Sequence, residues 1–276
     1  MDFNPKNYTV ARGELWFTPF LSGTRTLDPV GARYIGNTPE ITLSTDTENL
    51  DHYDADHGLR EKDDTVVLEK NITGTFSADD INMENIAMLF LGTAGVVTQT
   101  AQTGTTETFI GVKKGRAFQL GVTPANPSGV RGVANVTVSA TLGGVGSPVP
   151  LVENVDFRYE AAIGRVILLT SGNKLTDDPD DKIEIKYDTQ ATQYLQAVSG
   201  DLQIQGRLEY IAYNTKGEKI DQLFPMVNIR PDGDYSLGGD DWQIMNFAFD
   251  ALKLDAQTAT IYTNGRPGRG ITNPTT

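Results

Sequence analysis

The chain has 276 residues, with 36 acidic and 23 basic side chains, no cysteine and a net charge of -13 at pH 7. This acidity disfavours ordinary nucleic-acid binding, in which Lys and Arg displace the counterions of the phosphate backbone. The lack of cysteine excludes disulfides and thiolate zinc sites, and the two histidines, His52 and His57, leave little imidazole for metal or base chemistry.

The first informative element is a long polar stretch between two strand-like runs. It extends from Ser44 to Thr65 and has the sequence STDTENLDHYDADHGLREKDDT. Loops of more than about 12 to 15 residues without secondary structure are uncommon in compact domains, and they are usually functional or disordered. We therefore predict a long polar loop that reaches for a partner.

Alternation of apolar and polar residues follows directly and predicts a long strand. One face of this strand carries Val66, Leu68, Ile72 and Phe76, and Lys70 and Gly74 interrupt the apolar side. The same alternation recurs in three later segments, DLQIQGRLEY, IEIKYD and MNFAFDA. This pattern predicts sheets with one buried and one solvated face.

Helical spacing replaces the alternation after Asp79. The segment DDINMENIAMLFLG begins with acidic residues and ends at Gly92, where a C′ glycine would terminate a helix. We predict a helix of about three turns that flanks the sandwich. Its apolar contact residues are Met83, Ile86, Ala87 and Phe90.

A stretch rich in Gly, Thr and Val separates this helix from the strand at Leu202. Its strand candidates are RAFQLGV, VANVTVSA, VDFRY and GRVILLT, with turn signals such as NPSG and DDPDD between them. We predict a small inserted β domain at residues 116–192, with the alternative that these strands extend the main sheets. Residues 1–115 and 193–265 then form the main domain, and residues 266–276 form a flexible tail.

Together these elements predict an all-β fold: a two-sheet antiparallel β-sandwich with one flanking α-helix, a long loop and an inserted small β domain. The sequence has no run of 18 apolar residues, and its beginning, MDFNPKNYTV, lacks the basic and apolar regions of a signal peptide. We therefore expect a protein that is made in the cytoplasm and has no membrane partner.

Acidic clusters are the candidate metal sites. The first is formed by Asp51, Asp54, Asp56 and Gly58. Its spacing departs from that of a calcium loop, and the glutamate of the twelfth position is missing. The second is formed by Asp177, Asp178, Asp180 and Asp181, which an acidic hairpin turn explains better than a hard cation does. His52 and His57 lack a third ligand of suitable geometry. We predict no metal and no cofactor.

Motifs of nucleophilic and metal-dependent catalysis are missing from the sequence. It has no G-x-S-x-G elbow, no Walker A motif and no H-E-x-x-H pair. Trp16 and Trp242 each lie in strand-like runs, which favours core or subunit packing over ligand stacking. We therefore predict that the chain is not an enzyme and has no catalytic residues.

Six segments follow one another along most of the chain. They are GELWFTPF, LDHYDADHGLREKDDT, NIAMLFLG, GRAFQLGV, VDFRYEAAIGRVILLTSG and PMVNIRPDGDYSLGGDDWQIMNFAF. None is a catalytic signature, and their succession is more specific than any single segment. In this order they resemble the major tail tube proteins of long, non-contractile-tailed bacteriophages.

The resemblance implies a two-sheet subunit that assembles into hexameric rings, which stack into a hollow tube in the virion tail. One sheet of each subunit would join its neighbours to line the channel, and the long loop would reach between rings. The implied partners are further copies of the chain and the tape measure, terminator and distal tail proteins. Double-stranded DNA would pass through without specific binding, because an acidic wall repels it.

For the long loop we predict contacts between rings, because mixed charges beside an aromatic ring suit an interface. The predicted contact residues are His52, Tyr53, Arg60, Glu61 and Lys62. A disordered, solvated loop is the alternative.

Functions of other classes stay open at this point. The acidic clusters also fit a calcium-dependent adhesive or carbohydrate-binding β-sandwich. Within phage tails, a terminator or baseplate ring protein of related fold is a nearer alternative. Calcium binding would favour the first of these, and rings that do not stack would favour the second.

Overall fold

The computed structural model describes residues 8–56 and 58–266. In chain order, strands β1 to β17 are Gly13–Pro19, Arg33–Tyr34, Ile41–Asp54, Glu61–Ala78, Thr93–Gln99, Gln102–Ile110, Ala117–Gln119, Val133–Thr141, Val149–Pro150, Phe157–Glu160, Arg165–Leu168, Lys182–Thr189, Thr192–Val198, Ile204–Ala212, Ile220–Pro231, Met245–Ala251 and Tyr262–Gly265. The α-helix α1 spans Met83–Leu89, and short 3-10 turns occupy Leu142–Gly144 and Ala161–Ile163. His57 and residues 267–276 of the predicted tail lie outside the described residues.

The chain divides into two compact units. Unit 1 contains the described residues up to Ala94 and from Ala197 onward, and unit 2 is Gly95–Gln196. Strands β5 and β13 pair as a two-stranded ribbon, and both boundaries fall within these strands. Unit 2 begins earlier than the predicted insert at residues 116–192, because β6 pairs with β12 and therefore belongs to a sheet of unit 2.

One eight-stranded sheet forms the framework of unit 1. Its order is β2-β1-β14-β15-β16-β4-β3, and β17 pairs with β15 beside this path. The pairings in this sheet are antiparallel. Strand β15 has different neighbours along its length, because Ile220–Leu223 pair with β17 and Val227–Pro231 pair with β16.

Aromatic side chains fill the core of unit 1. Phe76 and Phe247 stack with their ring centroids 5.0 Å apart, and Phe224 meets Phe249 edge to face at 5.3 Å. Gly74 lies opposite Phe249 in the register, where a Cβ atom would come within 2.4 Å of the Phe249 Cζ atom. The glycine that interrupts the apolar face therefore makes room for a core ring.

Helix α1 is shorter than the predicted three turns and covers seven residues. It begins after Asn82, whose side chain accepts a hydrogen bond from the Asn85 N–H at 2.8 Å. It ends in a Schellman motif, in which the Gly92 N–H donates to the Ala87 carbonyl at 2.8 Å. Leu91, with a φ of 51°, occupies the left-handed C′ position that was predicted for Gly92.

The buried face of α1 differs from the predicted apolar stripe. Ala87 is buried and Ile86 is partly buried against the core, whereas Met83 and Phe90 are exposed. Asn85 is fully buried instead, and its amide donates to the backbone carbonyl of the residue after β2 at 2.7 Å. The buried face therefore runs through Asn85, Met88 and Leu89 instead of the predicted stripe, and its polar member is satisfied by hydrogen bonds.

Unit 2 consists of two antiparallel sheets, in the orders β10-β11-β7 and β6-β12-β8-β9. Both sheets contribute to one core, in which Val166 and Leu168 come from β11 and Ile183 and Ile185 come from β12. All four of these side chains are fully buried. Unit 2 is therefore a small β-sandwich with its own core.

The predicted all-β, antiparallel, sandwich-type fold with one α-helix is confirmed within the described residues. The predicted strand at Trp16 is β1, where this side chain is partly buried. Trp242 does not lie in a strand; it lies in the loop before β16 and is exposed.

Candidate assembly interface

The predicted long loop is a β-hairpin. Strands β3 and β4 contain 14 and 18 residues, and they pair antiparallel from Ile41 opposite Phe76 to Asp54 opposite Glu61. The interpretation of Ser44–Thr65 as a stretch without secondary structure is therefore wrong. We call the described residues from 44 to 71 the arm.

Local sequence explains why the arm forms paired strands. Threonine, which has a high β propensity, occupies positions 45, 47 and 65 of the arm, and just below the arm the hydroxyl groups of Thr42 and Thr75 meet across the strands at 2.6 Å. At the tip, Asp54 Oδ1 accepts a hydrogen bond from the Asp56 N–H at 2.9 Å. Gly58 supplies the positive φ, 81°, that the chain reversal needs.

The arm extends well beyond the rest of the unit 1 sheet. Strand β16 pairs with β4 only from Ile72 to Ala78, so β4 residues before Ile72 pair with β3 alone. Eleven residues of a strand rise by about 35 Å. The arm is therefore a two-stranded ribbon of about this length.

Both faces of the arm are solvated in a single copy of the chain. Within β3 and β4, every residue from 44 to 71 is exposed except Asp54, which is partly buried. Four apolar side chains are each more than half exposed: Leu50, Val66, Val67 and Leu68. Leu50 lies directly opposite Val66, so the two form an exposed cross-strand apolar pair.

Charged side chains pair across the arm near its tip. His52 Nδ1 lies 2.6 Å from Asp63 Oδ1, and this hydrogen bond raises the pKa of His52 and lowers the pKa of Asp63. Lys62 Nζ lies 2.6 Å from Asp51 Oδ1, and its hydrogen bond lowers the pKa of Asp51. In each pair, one partner stabilises the charged form of the other.

The structure brings the five predicted contact residues to the outer part of the arm. The guanidinium of Arg60 lies over the Tyr53 ring, 5.4 Å from its centroid. Glu61 begins β4 opposite Asp54, and Lys62 is the neighbour of Tyr53 in the register. Contact of these residues with another ring stays a prediction.

Sequence reasoning missed two groups of residues in this region. The first is the acidic partners Asp51 and Asp63, because two register shifts in the hairpin decide which residues face each other. The second is the exposed apolar group defined above. Its signal was present in the sequence as a run of apolar residues, VVL, beside the polar stretch. The predicted burial of Val66 and Leu68 on one strand face is wrong, because β4 pairs with β3 alone there and both side chains are exposed.

The acidic clusters are engaged in hydrogen bonds with the protein itself. Asp181 is fully buried and accepts from the Gly143 N–H at 2.9 Å and the Thr176 N–H at 2.8 Å. Asp178 accepts from the Asp180 N–H at 2.9 Å. These residues connect β11 and β12, which lie in different sheets, so the segment is not the predicted hairpin turn. Among the described residues, no group of three or more His, Asp or Glu side chains is placed to hold a metal ion.

The search for membrane-spanning helices was confined to the part of the chain that the structure describes. In that part, no helix has the length and the apolar composition needed to cross a bilayer.

Comparison with known proteins gave one family. No curated protein matched the chain. A family profile matches residues 8–261, which include unit 2, the whole arm and the described part of unit 1 up to β17. The chain therefore belongs to the family described as Protein of unknown function UCP028589.

Proposed function

We propose that the chain is a structural subunit that assembles with copies of itself into the tail tube of a long, non-contractile-tailed bacteriophage. In this proposal, hexameric rings stack around a channel through which DNA leaves the particle. The observation that carries the proposal is the arm: a ribbon of about 35 Å whose two faces are solvated and whose apolar residues have no cover in one copy of the chain.

A two-stranded ribbon needs a partner to be stable in this form. An isolated hairpin in water is marginally stable at best, and exposed apolar groups that lie together mark interaction surfaces. Another copy of the chain is the partner that is always available. We propose that the arm of one subunit lies on a subunit of the next ring and that His52, Tyr53, Arg60, Glu61 and Lys62 contribute to this contact.

The edges of the unit 1 sheet support self-assembly as well. The sheet ends at β3 on one side and at the two-residue strand β2 on the other. Open edges of this kind pair readily with other strands, and a ring of identical copies satisfies them without uncontrolled aggregation. The proposal therefore uses both features of unit 1, its edges within a ring and its arm between rings.

The acidity of the chain fits a channel through which DNA slides. Each subunit has a net charge of -13, and like charges repel the phosphate backbone from all sides of a closed ring. The proposal assigns no catalytic step and no cofactor to the chain. Its other partners would be the tape measure, terminator and distal tail proteins, which bind the interior and the two ends of such a tube.

Electron microscopy of the concentrated, purified chain tests the proposal. We expect long hollow tubes with a repeating ring. A shortened variant tests the arm: Asn-Gly replaces residues 49–68. Glu48 and Glu69, which face each other in the hairpin, then flank a two-residue turn. This variant should form rings or single subunits and no tubes. Wild-type protein that stays monomeric at every concentration would refute the proposal, and single rings that never stack would favour a terminator.

A further inference from the structure

The loop between β15 and β16 is held in a defined shape. Tyr235 packs against the core of unit 1 at the base of this loop. Gln243, near the other end, donates a hydrogen bond from Nε2 to the Ser236 carbonyl at 2.9 Å, and the Asp232 N–H donates to the Asn246 carbonyl at 2.9 Å. These hydrogen bonds and the packing of Tyr235 give the loop a defined structure. We call residues 232–244 the Trp loop.

The Trp loop presents two large apolar side chains to solvent. Trp242 is 93% exposed and Leu237 is 83% exposed. A tryptophan buries about 150 to 250 Å² when it is covered, and tryptophan is among the residues most often found at the energetic centre of interfaces. Asp240 and Asp241 precede it directly, so its surroundings are acidic. The loop thus has an aromatic anchor and a negative charge.

Unit 1 also contains a cleft of about 560 Å³. It lies between the segment that follows β1 and the residues that lead into β14, and its lining includes Phe20, Leu21, Arg25, Leu202 and Gln203. Leu21 and Leu202 are exposed in it, and Arg25 is anchored through a hydrogen bond from Nη1 to the Leu254 carbonyl at 2.6 Å. Clefts that hold small molecules measure roughly 300 to 1,000 Å³, and the volume of this cleft lies within that range.

The register places the cleft and the Trp loop at the same end of the sheet. Strand β1 ends at Pro19 opposite Gly206 near the start of β14, and β15 approaches its end where Ile229 faces Ile204. The cleft belongs to the β1–β14 side and the loop to the β15–β16 side. Copies of the chain that lie side by side therefore carry the loop and the cleft at the same level.

We propose that Trp242 of one copy inserts into this cleft of an adjacent copy, with Asp240 and Asp241 beside the neighbour's Arg25. Loop and cleft are different surfaces of one chain, so the contact is head to tail, and such contacts close into rings when the rotation between copies allows it. Because every copy carries a charge of -13, a local pair of opposite charges directs the approach. The inference rests on the proposed function and assigns the contact within a ring.

Fluorescence of Trp242 reports the insertion directly. Trp16 is the other tryptophan of the chain, so a W16F background leaves Trp242 as the single probe. We expect its emission to shift to the blue as protein concentration rises and assembly proceeds. An emission maximum that stays at the solvated position in assembled protein would overturn the inference. A blue shift that is independent of concentration would also overturn it, because the indole of Trp242 would then occupy the cleft of its own chain.

A complementation experiment separates the two halves of the contact. W242A removes the anchor, and L202E places a carboxylate in the cleft at an exposed position where the fold tolerates it. Each variant alone should need at least about tenfold more protein to assemble than wild type does. An equimolar mixture should form pairs in analytical ultracentrifugation at concentrations where each variant alone is monomeric, since one intact loop meets one intact cleft.

The outcomes distinguish the inference from the proposed function. Val145, which is 78% exposed in unit 2, provides the control, and V145A should assemble as wild type does. If wild type and W242A assemble at the same concentration, the inference is refuted and the tube proposal stands. If wild type never assembles, both are refuted. A mixture of W242A and L202E that behaves as its separate components would also refute the inference.

Discussion

Gly92 lies where two backbone segments of unit 1 come closest together. A Cβ atom at this position would be 1.7 Å from the Val198 carbonyl oxygen and 2.9 Å from the Cα of Ser199. Backbone atoms of a paired segment cannot rotate aside, so overpacking of this kind is destabilising. We predict that Gly92→Ala lowers the free energy of unfolding by about 2 to 3 kcal/mol, measured by urea denaturation.

Gly95 offers a matched control three residues further along. A Cβ atom there meets no other atom within 4 Å, so Gly95→Ala should change the free energy of unfolding by less than about 0.5 kcal/mol. Equal stability of the two variants would contradict the close approach of the backbone at Gly92.

The pair of His52 and Asp63 makes part of the arm sensitive to pH. The hydrogen bond that His52 donates to the Asp63 carboxylate raises the pKa of His52 in the folded chain. A raised pKa means that the pair stabilises the hairpin fully below the ordinary histidine pKa, about 6.5, and that this contribution is lost as the pH rises through the folded value. We predict that Asp63→Asn lowers the pKa of His52.

Proton NMR measures this titration. In a His57→Gln background, the single remaining imidazole resonance belongs to His52. Its midpoint should move to lower pH when Asp63→Asn is added. Asp46→Asn, which alters a carboxylate nearer the base of the arm, is the control and should leave the midpoint in place. An unchanged midpoint in the Asp63→Asn variant would show that the two side chains do not pair in solution.

At the scale of elements, the arm should act through its exposed apolar pair. Leu50 and Val66 face each other across the hairpin, and each would contribute roughly 1.5 to 3 kcal/mol if it were buried against another copy. Leu50→Thr with Val66→Thr keeps two residues that favour strands and removes two apolar groups. We predict that the double variant needs at least about tenfold more protein to form tubes, measured by light scattering and microscopy.

Ile110 provides the control for this element. It is exposed at the end of β6 in unit 2, and Ile110→Thr makes the same kind of change outside the arm. This variant should assemble at the wild-type concentration. Equal assembly by the double arm variant would mean that the apolar pair is not buried between subunits.

The elements differ in how much of them the sequence could reveal. Alternation predicted β12, β14 and β16 because the faces of these strands are buried within the chain to different degrees. From Ser44 to Thr65 the arm is solvated on both faces, so no alternation marks this part, and a polar strand resembles a polar loop. Helix α1 was found, but its buried face was not, because Asn85 is satisfied by hydrogen bonds that only the tertiary structure supplies.

For the whole molecule too, the sequence revealed local patterns and did not reveal pairings between distant segments. Composition and alternation were sufficient for an all-β fold. They did not reveal that β6 belongs to unit 2, because its partner β12 lies about 80 residues later in the chain. The five predicted contact residues proved to be neighbours near one tip, whereas their ionic partners and the exposed apolar group required the register of the hairpin.

The ribbon of β5 and β13 makes unit 2 a segment that another domain could replace. The polypeptide leaves unit 1 along one of these strands and returns along the other. The entrance and exit of unit 2 are therefore neighbours, as they are at the sites where insertions are tolerated best. Natural recombination, or a designer who wishes to display a foreign domain, could exchange residues 95–196 for another module and leave the order of the remaining strands unchanged.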